Sequence, residues 1–310
     1  MALLSRKRLI LAKAESVYGT DASPAGTDAV LVRNLDITPI SADVVSRDLI
    51  RPYMGNSDQL IANSRVEISF EVELAGSGTA GTAPRYGAVL KACGLSETTV
   101  AATSVTYAPV SASFSSVTIY FNADGLLHKL TGCRGTFTMS CQVGQIPVLQ
   151  FQMTGVYNAP TDTAAPAVTY SNQAAPLVFR DGNTSAFQLL SYAGCLMSVD
   201  FNMANEVAYR ELIGCTKEVL ITDRKPAGTA TIEAPTIAAK DFFAASLATT
   251  TGNLTFLHGT TAGNRVTFTA SQVDVANPTY SDTDGVLMLS VPYVALPTTA
   301  GNDELSLAFT

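Results

Sequence analysis

The sequence predicts a mainly β protein whose elements occur in the same order twice along the chain. Several segments alternate apolar and polar residues with a period of two, which is typical of strands with one buried and one wet face. Sheets of this kind are usually antiparallel. The 310 residues are enough for two domains of ordinary size, so a tandem repeat fits the length.

In the first half, the clearest strand is "RVEISFEVEL" at 65–74. Its apolar residues share one face and its polar residues the other: Val66, Ile68, Phe70 and Val72 against Glu67, Ser69, Glu71 and Glu73. Similar alternation predicts strands at 115–122, 135–144 and 146–157. A helix is predicted at 83–94, because Pro84 lies near its start and Gly94 just past its end.

The second half repeats this order after a Pro- and Ala-rich segment without periodicity, which we interpret as a linker at 161–180. The expected strands lie at 194–203, 217–235 (two strands), 252–259, 264–275 and 285–297, with a helix at 236–249. The segments "SRDLI" at 46–50 and "YRELI" at 209–213 mark the same place in both halves. We therefore predict a duplicated domain, with units at 31–160 and 181–310.

Composition argues against several classes of protein. Only 15% of residues are charged and the net charge is −7, so the chain lacks the basic stripes that a phosphate-binding protein needs. No apolar run is long enough for a membrane helix, and we expect no export signal. The five Cys have no metal-ligand spacing, and neither a metal nor a cofactor is expected.

Catalytic motifs are also missing from the sequence. Only two His occur, and no nucleophile elbow, P-loop or zinc-protease pattern appears. The glycine motif "GSGTAG" at 76–81 lies between a predicted strand and helix, but Thr82, Ala83 and Pro84 follow it, so the helix does not begin inside the motif. It is therefore unsuited to holding a pyrophosphate at a helix N-terminus. We expect no enzymatic activity.

The segment 44–63 is too long for a simple hairpin turn. It is too apolar for disorder, because it contains Leu49, Ile50, Tyr53, Met54, Leu60 and Ile61. Exposed apolar residues on a projecting loop indicate a protein–protein contact.

An ordered set of segments across nearly the whole chain resembles the major tail tube proteins of long, non-contractile-tailed (Mu-like siphophage) bacteriophages. These segments are "LILAKAESVYGTDASPAG" (9–26), "VRNLDITPISADVVSRDLIRPYMGN" (32–56), "SFEVELAGSGTAGTAPRYG" (69–87), "VTIYFNADGLLHKLTGCRGT" (117–136), "GVYNAPTD" (155–162), "LITDRKPAGTATIEAPT" (220–236) and "LHGTTAGN" (257–264). No single motif among them is diagnostic, but their order is specific.

The resemblance implies two tandem tail-tube-like β-sandwiches, each flanked by a helix, whose inner sheets join into a β-barrel around a lumen. Residues 44–63 would be the stacking loop between rings, and 206–219 a shorter counterpart. The implied contact residues are Arg47, Leu49, Ile50, Arg51, Tyr53, Met54, Leu60, Ile61, Arg210, Leu212 and Ile213. Residues 1–30 would form an N-terminal arm making a second contact.

The family implies rings that are six-fold at the level of the sandwich, so a duplicated chain favours a pseudo-hexameric trimer. A true hexamer with the second half outside remains the alternative. The wet strand faces would line the lumen, with Glu67, Glu71, Glu73, Thr136, Thr138, Gln142, Thr267 and Thr269 as candidates. Such a face would let double-stranded DNA pass without tight binding.

The resemblance further implies a virion tail protein assembled in the host cytoplasm, with no membrane partner. Besides other copies of itself, its partners would be a tape measure protein in the lumen and tail terminator and distal tail proteins at the ends. The alternative function is an inner-tube or ring protein of a related contractile injection or secretion apparatus.

Overall fold

The computed structural model describes residues 3–310, which form twenty strands and two short α-helices. The first half contains β1 (Arg8–Ala14), β2 (Ala29–Val30), β3 (Arg33–Ser46), β4 (Gln59–Glu73), β5 (Leu95–Val100), β6 (Ser104–Pro109), β7 (Val117–Ala123), β8 (Leu126–Gln142), β9 (Val148–Tyr157) and β10 (Thr161–Asp162). Helix α1 (Gly87–Ala92) follows β4, and a 3-10 turn (Gly26–Asp28) precedes β2. The predicted mainly β fold is confirmed.

The second half also contains one helix, α2 (Phe242–Leu247). Its strands are β11 (Thr184–Leu189), β12 (Leu196–Asn202), β13 (Asn205–Arg210), β14 (Glu218–Arg224), β15 (Ala227–Glu233), β16 (Thr251–His258), β17 (Val266–Val275), β18 (Thr279–Thr283), β19 (Val286–Leu296) and β20 (Ser306–Phe309). Both helices are shorter than the predicted 83–94 and 236–249, because the flanking residues form turns and caps instead; Asp241 caps α2 through its side chain.

One antiparallel sheet runs through both halves, and we call it the long sheet. Its strand order is β3, β4, β9, β8, β12, β15 and β19, with β18 and the end of β17 pairing with β19 at the far side. The junction between the halves is the ladder of β8 with β12. The backbone hydrogen bonds of the long sheet therefore continue without a break from the first half of the chain to the second.

A second layer covers the long sheet. It contains β1, β7 and the start of β8 in one half, and β11, β16 and the start of β17 in the other. Strand β8 passes from one layer to the other at an irregularity between Thr131 and Arg134, where Gly132 has φ +60°. A bulge of this kind bends a strand sharply, and glycine tolerates the positive φ.

The core between the layers is continuous from one half to the other. Phe137 of β8 lies 6.1 Å from Phe201 of β12, measured between ring centroids, and Phe201 lies 5.2 Å from Phe268 of β17. All three side chains are buried. The units predicted at 31–160 and 181–310 thus share one hydrophobic core.

Corresponding strands of the two halves pair in the same order. In the first half β4 lies between β3 and β9, and β9 pairs with β8; in the second, β15 lies between β12 and β19, and β19 pairs with β17 and β18. Helix α1 follows β4 as α2 follows β15. The hairpin of β5 and β6 belongs to the first half and pairs with β20 at the end of the chain.

The N-terminal segment differs from the expected arm. Residues 8–14 form β1, which pairs along its whole length with β7, and Ile10 and Leu11 are buried. The apolar run at 9–12 therefore fills the core instead of extending away from the molecule. The first two residues of the predicted arm (1–30) lie outside the described range.

Residues 161–180 form a strap along the surface. Backbone hydrogen bonds hold it to the first half of the chain: Thr169 N donates to Gly26 O (3.0 Å), Ala174 N to Gly76 O (2.9 Å) and Phe179 N to Gln145 O (2.8 Å). The predicted linker is thus extended but fixed along its length.

The glycine motif at 76–81 makes a backbone contact between the halves. Gly78 N donates to Gly263 O (2.9 Å), and a Cβ on Gly76 would lie 2.1 Å from the same oxygen. Only glycine allows this close approach. No helix between residues 3 and 310 is both long and apolar enough to cross a membrane.

Candidate assembly interface

The predicted loop 44–63 is a projecting β-hairpin with a shorter loop at its tip. Strands β3 and β4 continue their ladder through Val44–Ile61, Val45–Leu60 and Ser46–Gln59, and the tip spans residues 47–58. We call residues 43–62 the first hairpin. The extension of the ladder was not predicted because alternation stops where both strand faces become exposed.

The first hairpin exposes most of its apolar side chains. Ile50 and Met54 are fully exposed, at 102% and 101% of their reference areas. Leu49, Tyr53, Leu60 and Ile61 are also exposed. A concentration of exposed apolar residues on one projecting element indicates a surface that another molecule covers.

Polar contacts fix the shape of the tip. Arg47 Nη1 lies 2.7 Å from Asp58 Oδ2, and Leu49 N donates to Ser57 Oγ at 3.2 Å. The guanidinium of Arg51 lies 5.9 Å from the centroid of the Tyr53 ring. These contacts use the polar groups within the tip, so the apolar side chains are left pointing outward.

The second hairpin, residues 205–224, carries the repeated motif at a matching place. Arg210 Nη2 lies 3.2 Å from Glu218 Oε2, so an Arg–acid pair closes each hairpin. Leu212 is exposed, and Ile213 is 106% exposed. Its tip, 211–217, is shorter than the first, as expected from the sequence.

Unlike the first hairpin, the second packs against the other half of the chain. The buried Arg134 guanidinium donates from Nη1 to Val219 O (2.7 Å) and from Nη2 to Phe114 O (2.9 Å). Its Cζ lies 4.6 Å from the Tyr18 ring, and the Tyr18 hydroxyl accepts from Val219 N at 2.6 Å. Burial raises the pKa of Tyr18 to about 12, so this hydroxyl stays protonated at neutral pH.

Arg134 and Tyr18 were not among the predicted contact residues. The only sequence signal was a charged residue between Cys133 and Gly135, in a strand that is otherwise uncharged from Leu130 to Gln142. Their pairing joins residues far apart in the chain, which local patterns do not reveal.

The polar side chains of the long sheet form one continuous surface, which we call the polar face. Cross-strand partners lie on the same side of a sheet. One such row runs Glu71, Gln150, Thr138 and Asn202. Of the predicted lumen residues, the structure brings six together on this face: Glu67, Glu71, Glu73, Thr136, Thr138 and Gln142.

The acids of the polar face are partly neutralised. Glu71 lies 3.0 Å from Arg33 Nε, and Glu67 lies 3.1 Å from Arg65 Nε. Exposed pairs of this kind add little stability, but they reduce the negative potential of the face. The polar face therefore does not present a row of free carboxylates. Most of its other side chains are Ser, Thr and Gln.

Thr267 and Thr269 lie elsewhere. They belong to the start of β17 in the second layer, opposite Leu257 and Thr255 of β16. Their neighbours Val266, Phe268 and Ala270 are buried, so these threonines point away from the core on the side opposite the polar face.

The two ends of the long sheet have available edges. Within residues 3–310, β3 pairs only with β4, and β18 pairs only with β19. Unpaired strand edges are sites for pairing with another chain. In the same range, no group of three His, Cys, Asp or Glu is arranged to hold a metal ion.

Comparison with protein families gives a match over nearly the whole chain. The sequence model of the family described as "Phage tail tube protein" matches residues 5–295. A search of curated proteins finds no match.

Proposed function

Because the chain belongs to the phage tail tube protein family, we propose that it is the major tail tube subunit of a long, non-contractile (Mu-like siphophage) tail. In this role it is a structural component of the virion tail. It assembles in the host cytoplasm into stacked rings, and viral DNA passes through the resulting tube during ejection.

The observation that carries this proposal is the first hairpin. A chain with a continuous buried core nevertheless exposes eight large apolar residues on one projecting element. Stacked rings give that element a partner, because each ring presents an identical surface to the next. The side chains of Leu49, Ile50, Tyr53 and Met54 are then buried between rings, with Arg47 and Arg51 holding the tip in shape.

We assign the second hairpin a smaller part in the same contact. Leu212 and Ile213 lie in its tip and Arg210 directly precedes it, but its base already contacts the first half of the chain. The first hairpin therefore makes the larger contact between rings.

The polar face is the proposed lumen wall. It is rich in Ser, Thr and Gln, and its acids Glu67 and Glu71 are paired with arginines. Such a wall offers few cations to phosphate, so it lets DNA and the tape measure protein occupy the lumen without tight binding. Thr267 and Thr269 are left out of this assignment because they belong to the second layer.

The repeated pairing order supports duplicated units and three chains per ring. Each half then supplies one of six equivalent positions around the lumen. Six chains per ring, with the second half outside, remain the alternative. The ends of the tube would bind a tail terminator and distal tail proteins.

Negative-stain electron microscopy of the purified chain at high concentration tests the proposal. Hollow tubes or stacked rings are expected. Isolated monomers at every concentration and salt condition would contradict it.

A further inference from the structure

The junction between the two halves shows how two strand edges of this fold pair within one chain. In the ladder of β8 with β12, Thr138 lies opposite Asn202, Met139 opposite Phe201 and Ser140 opposite Asp200. Ser140 Oγ also donates to Asp200 Oδ1 at 2.7 Å on the polar face. On the core side, Phe201 packs against Phe137 and Phe268.

Strand β3 is the first-half equivalent of β12. Ser69 and Thr229 each lie eleven residues beyond the acid that closes their hairpin, Asp58 or Glu218. Asp36 pairs with Ser69, and Asp200 pairs with Thr229. Asp36, Ile37 and Thr38 are therefore equivalent to Asp200, Phe201 and Asn202.

Strand β18 is the second-half equivalent of the end of β8. Ile68 and Gly228, one residue before Ser69 and Thr229, pair with Met153 and Tyr293. Leu149 lies four residues before Met153 on β9 and pairs with Met139 of β8. In the same way, Leu289 lies four residues before Tyr293 on β19 and pairs with Tyr280 of β18.

It follows that Thr279, Tyr280 and Ser281 are equivalent to Thr138, Met139 and Ser140. The Ser–Asp pair of the junction thus has a counterpart of the same residue types, Ser281 and Asp36, at opposite ends of the molecule.

From this equivalence, and resting on the proposed function, we infer that β18 of one chain pairs antiparallel with β3 of the next copy. Thr279 lies opposite Thr38, Tyr280 opposite Ile37 and Ser281 opposite Asp36. Ser281 then donates a hydrogen bond to Asp36 on the polar face, as Ser140 does to Asp200 within the chain.

The environment of Tyr280 agrees with this register. Its equivalent Met139 is buried by Phe201, but Tyr280 packs on one side against Phe243 (5.5 Å between ring centroids) and remains 55% exposed. Ile37 is half-buried at the other edge. Pairing of the two edges covers both side chains, extends the hydrophobic core and satisfies the unpaired backbone groups of both strands.

Disulfide cross-linking tests the register. The background variant carries Cys195→Ser and Cys215→Ser, because these are the two exposed cysteines of the chain. Thr38→Cys with Thr279→Cys places two thiols directly opposite each other on the polar face. The matched control, Thr38→Cys with Ser281→Cys, shifts one thiol by two residues, to a spacing too long for a disulfide.

Oxidised assemblies of the first variant should yield covalent dimers and trimers on a non-reducing denaturing gel, and the control should yield monomers. Tubes without cross-links, or cross-links in the control alone, overturn the inference while leaving the proposed function intact. Absence of tubes from the unsubstituted chain overturns both.

Hydrogen exchange on the unsubstituted chain gives an independent measurement, which does not depend on the variants folding. Amides within 33–38 and 279–283 should exchange at least about tenfold more slowly in tubes than in free subunits. Equal exchange in the two states would contradict the pairing.

Discussion

Ile61 and Ile221 show how two equivalent residues differ when only one has a partner within the chain. Each lies three residues beyond the acid that closes its hairpin. Ile221 is 8% exposed, with Gly94 and Phe114 nearby, whereas Ile61 is 60% exposed. The first hairpin therefore has an apolar surface that the second has already buried.

At the same scale, the polar face predicts that added positive charge slows DNA passage. Thr138→Lys places a cation on the proposed lumen wall in every subunit, and each cation attracts passing phosphates. We expect ejection from virions to slow by about tenfold, measured by dye release in single particles.

Thr267→Lys is the matched control for that experiment. It makes the same substitution at a similarly half-buried threonine, but on the outer side of the second layer. Equal ejection rates in the two variants would contradict the assignment of the polar face to the lumen.

His258 predicts a loss of stability at mildly acidic pH. Its Nε2 lies 3.2 Å from Leu177 O and its Nδ1 2.9 Å from Thr184 Oγ1, and burial lowers its pKa. The unfolded state therefore binds a proton more readily, so the free energy of unfolding falls as pH drops below about 6.5.

The contribution of His258 to the slope of the unfolding free energy against pH should reach up to about 1.4 kcal/mol per pH unit. Urea titrations between pH 7 and 5.5 measure it, and His258→Gln should remove this share. Burial also lowers the pKa of His128, so His128→Gln gives the separate contribution of that residue. An unchanged slope in the His258 variant would show that His258 does not contribute to the pH dependence of stability.

At the scale of elements, regular alternation predicted the central strands well. The segments 65–74, 135–144 and 146–157 correspond to β4, β8 and β9 except for one or two residues at one end of each, because a sheet with one buried face requires a period of two. The resemblance implies an N-terminal arm over residues 1–30, a range that includes strand β1. Its place in the sheet depends on pairing with β7, more than a hundred residues away.

The candidate interface was predictable only in part, because contacts between distant parts of the chain are not visible in local sequence patterns. The apolar content of the first hairpin was visible locally, and so were the six residues on the polar face. Thr267 and Thr269 were assigned to the lumen from alternation alone, which does not distinguish one layer from the other. The contact of Arg134 with Val219 depends entirely on how the halves meet.

The first hairpin should be required for assembly and dispensable for folding. Ile50→Asp with Met54→Asp changes two fully exposed residues, so we expect the free energy of unfolding to change by less than about 0.5 kcal/mol per site. Tube yield, measured by sedimentation, should fall at least about tenfold, because the contact between rings then buries unpaired charges.

Leu247→Asp is the control, since Leu247 is also highly exposed but lies on α2. Normal tube yield from the hairpin variant would contradict its role between rings.

At the scale of the whole molecule, the shared core predicts cooperative unfolding. The ladder of β8 with β12 and the contacts of Phe201 connect the halves. We expect one transition in urea, reported equally by probes in both halves. Phe201→Ala should reduce the free energy of unfolding by about 3–5 kcal/mol while preserving that single transition. Two separate transitions would show that the halves fold independently.

In the proposed assembly, the two halves of each chain occupy equivalent positions in a closed ring. Cryo-electron microscopy of assembled tubes measures this most directly, through the number of chains per ring and the path of the long sheet. We predict three chains per ring, with the long sheet continuous from β18 of one chain to β3 of the next and the polar face toward the lumen. Six chains per ring with the second half outside the wall would contradict it.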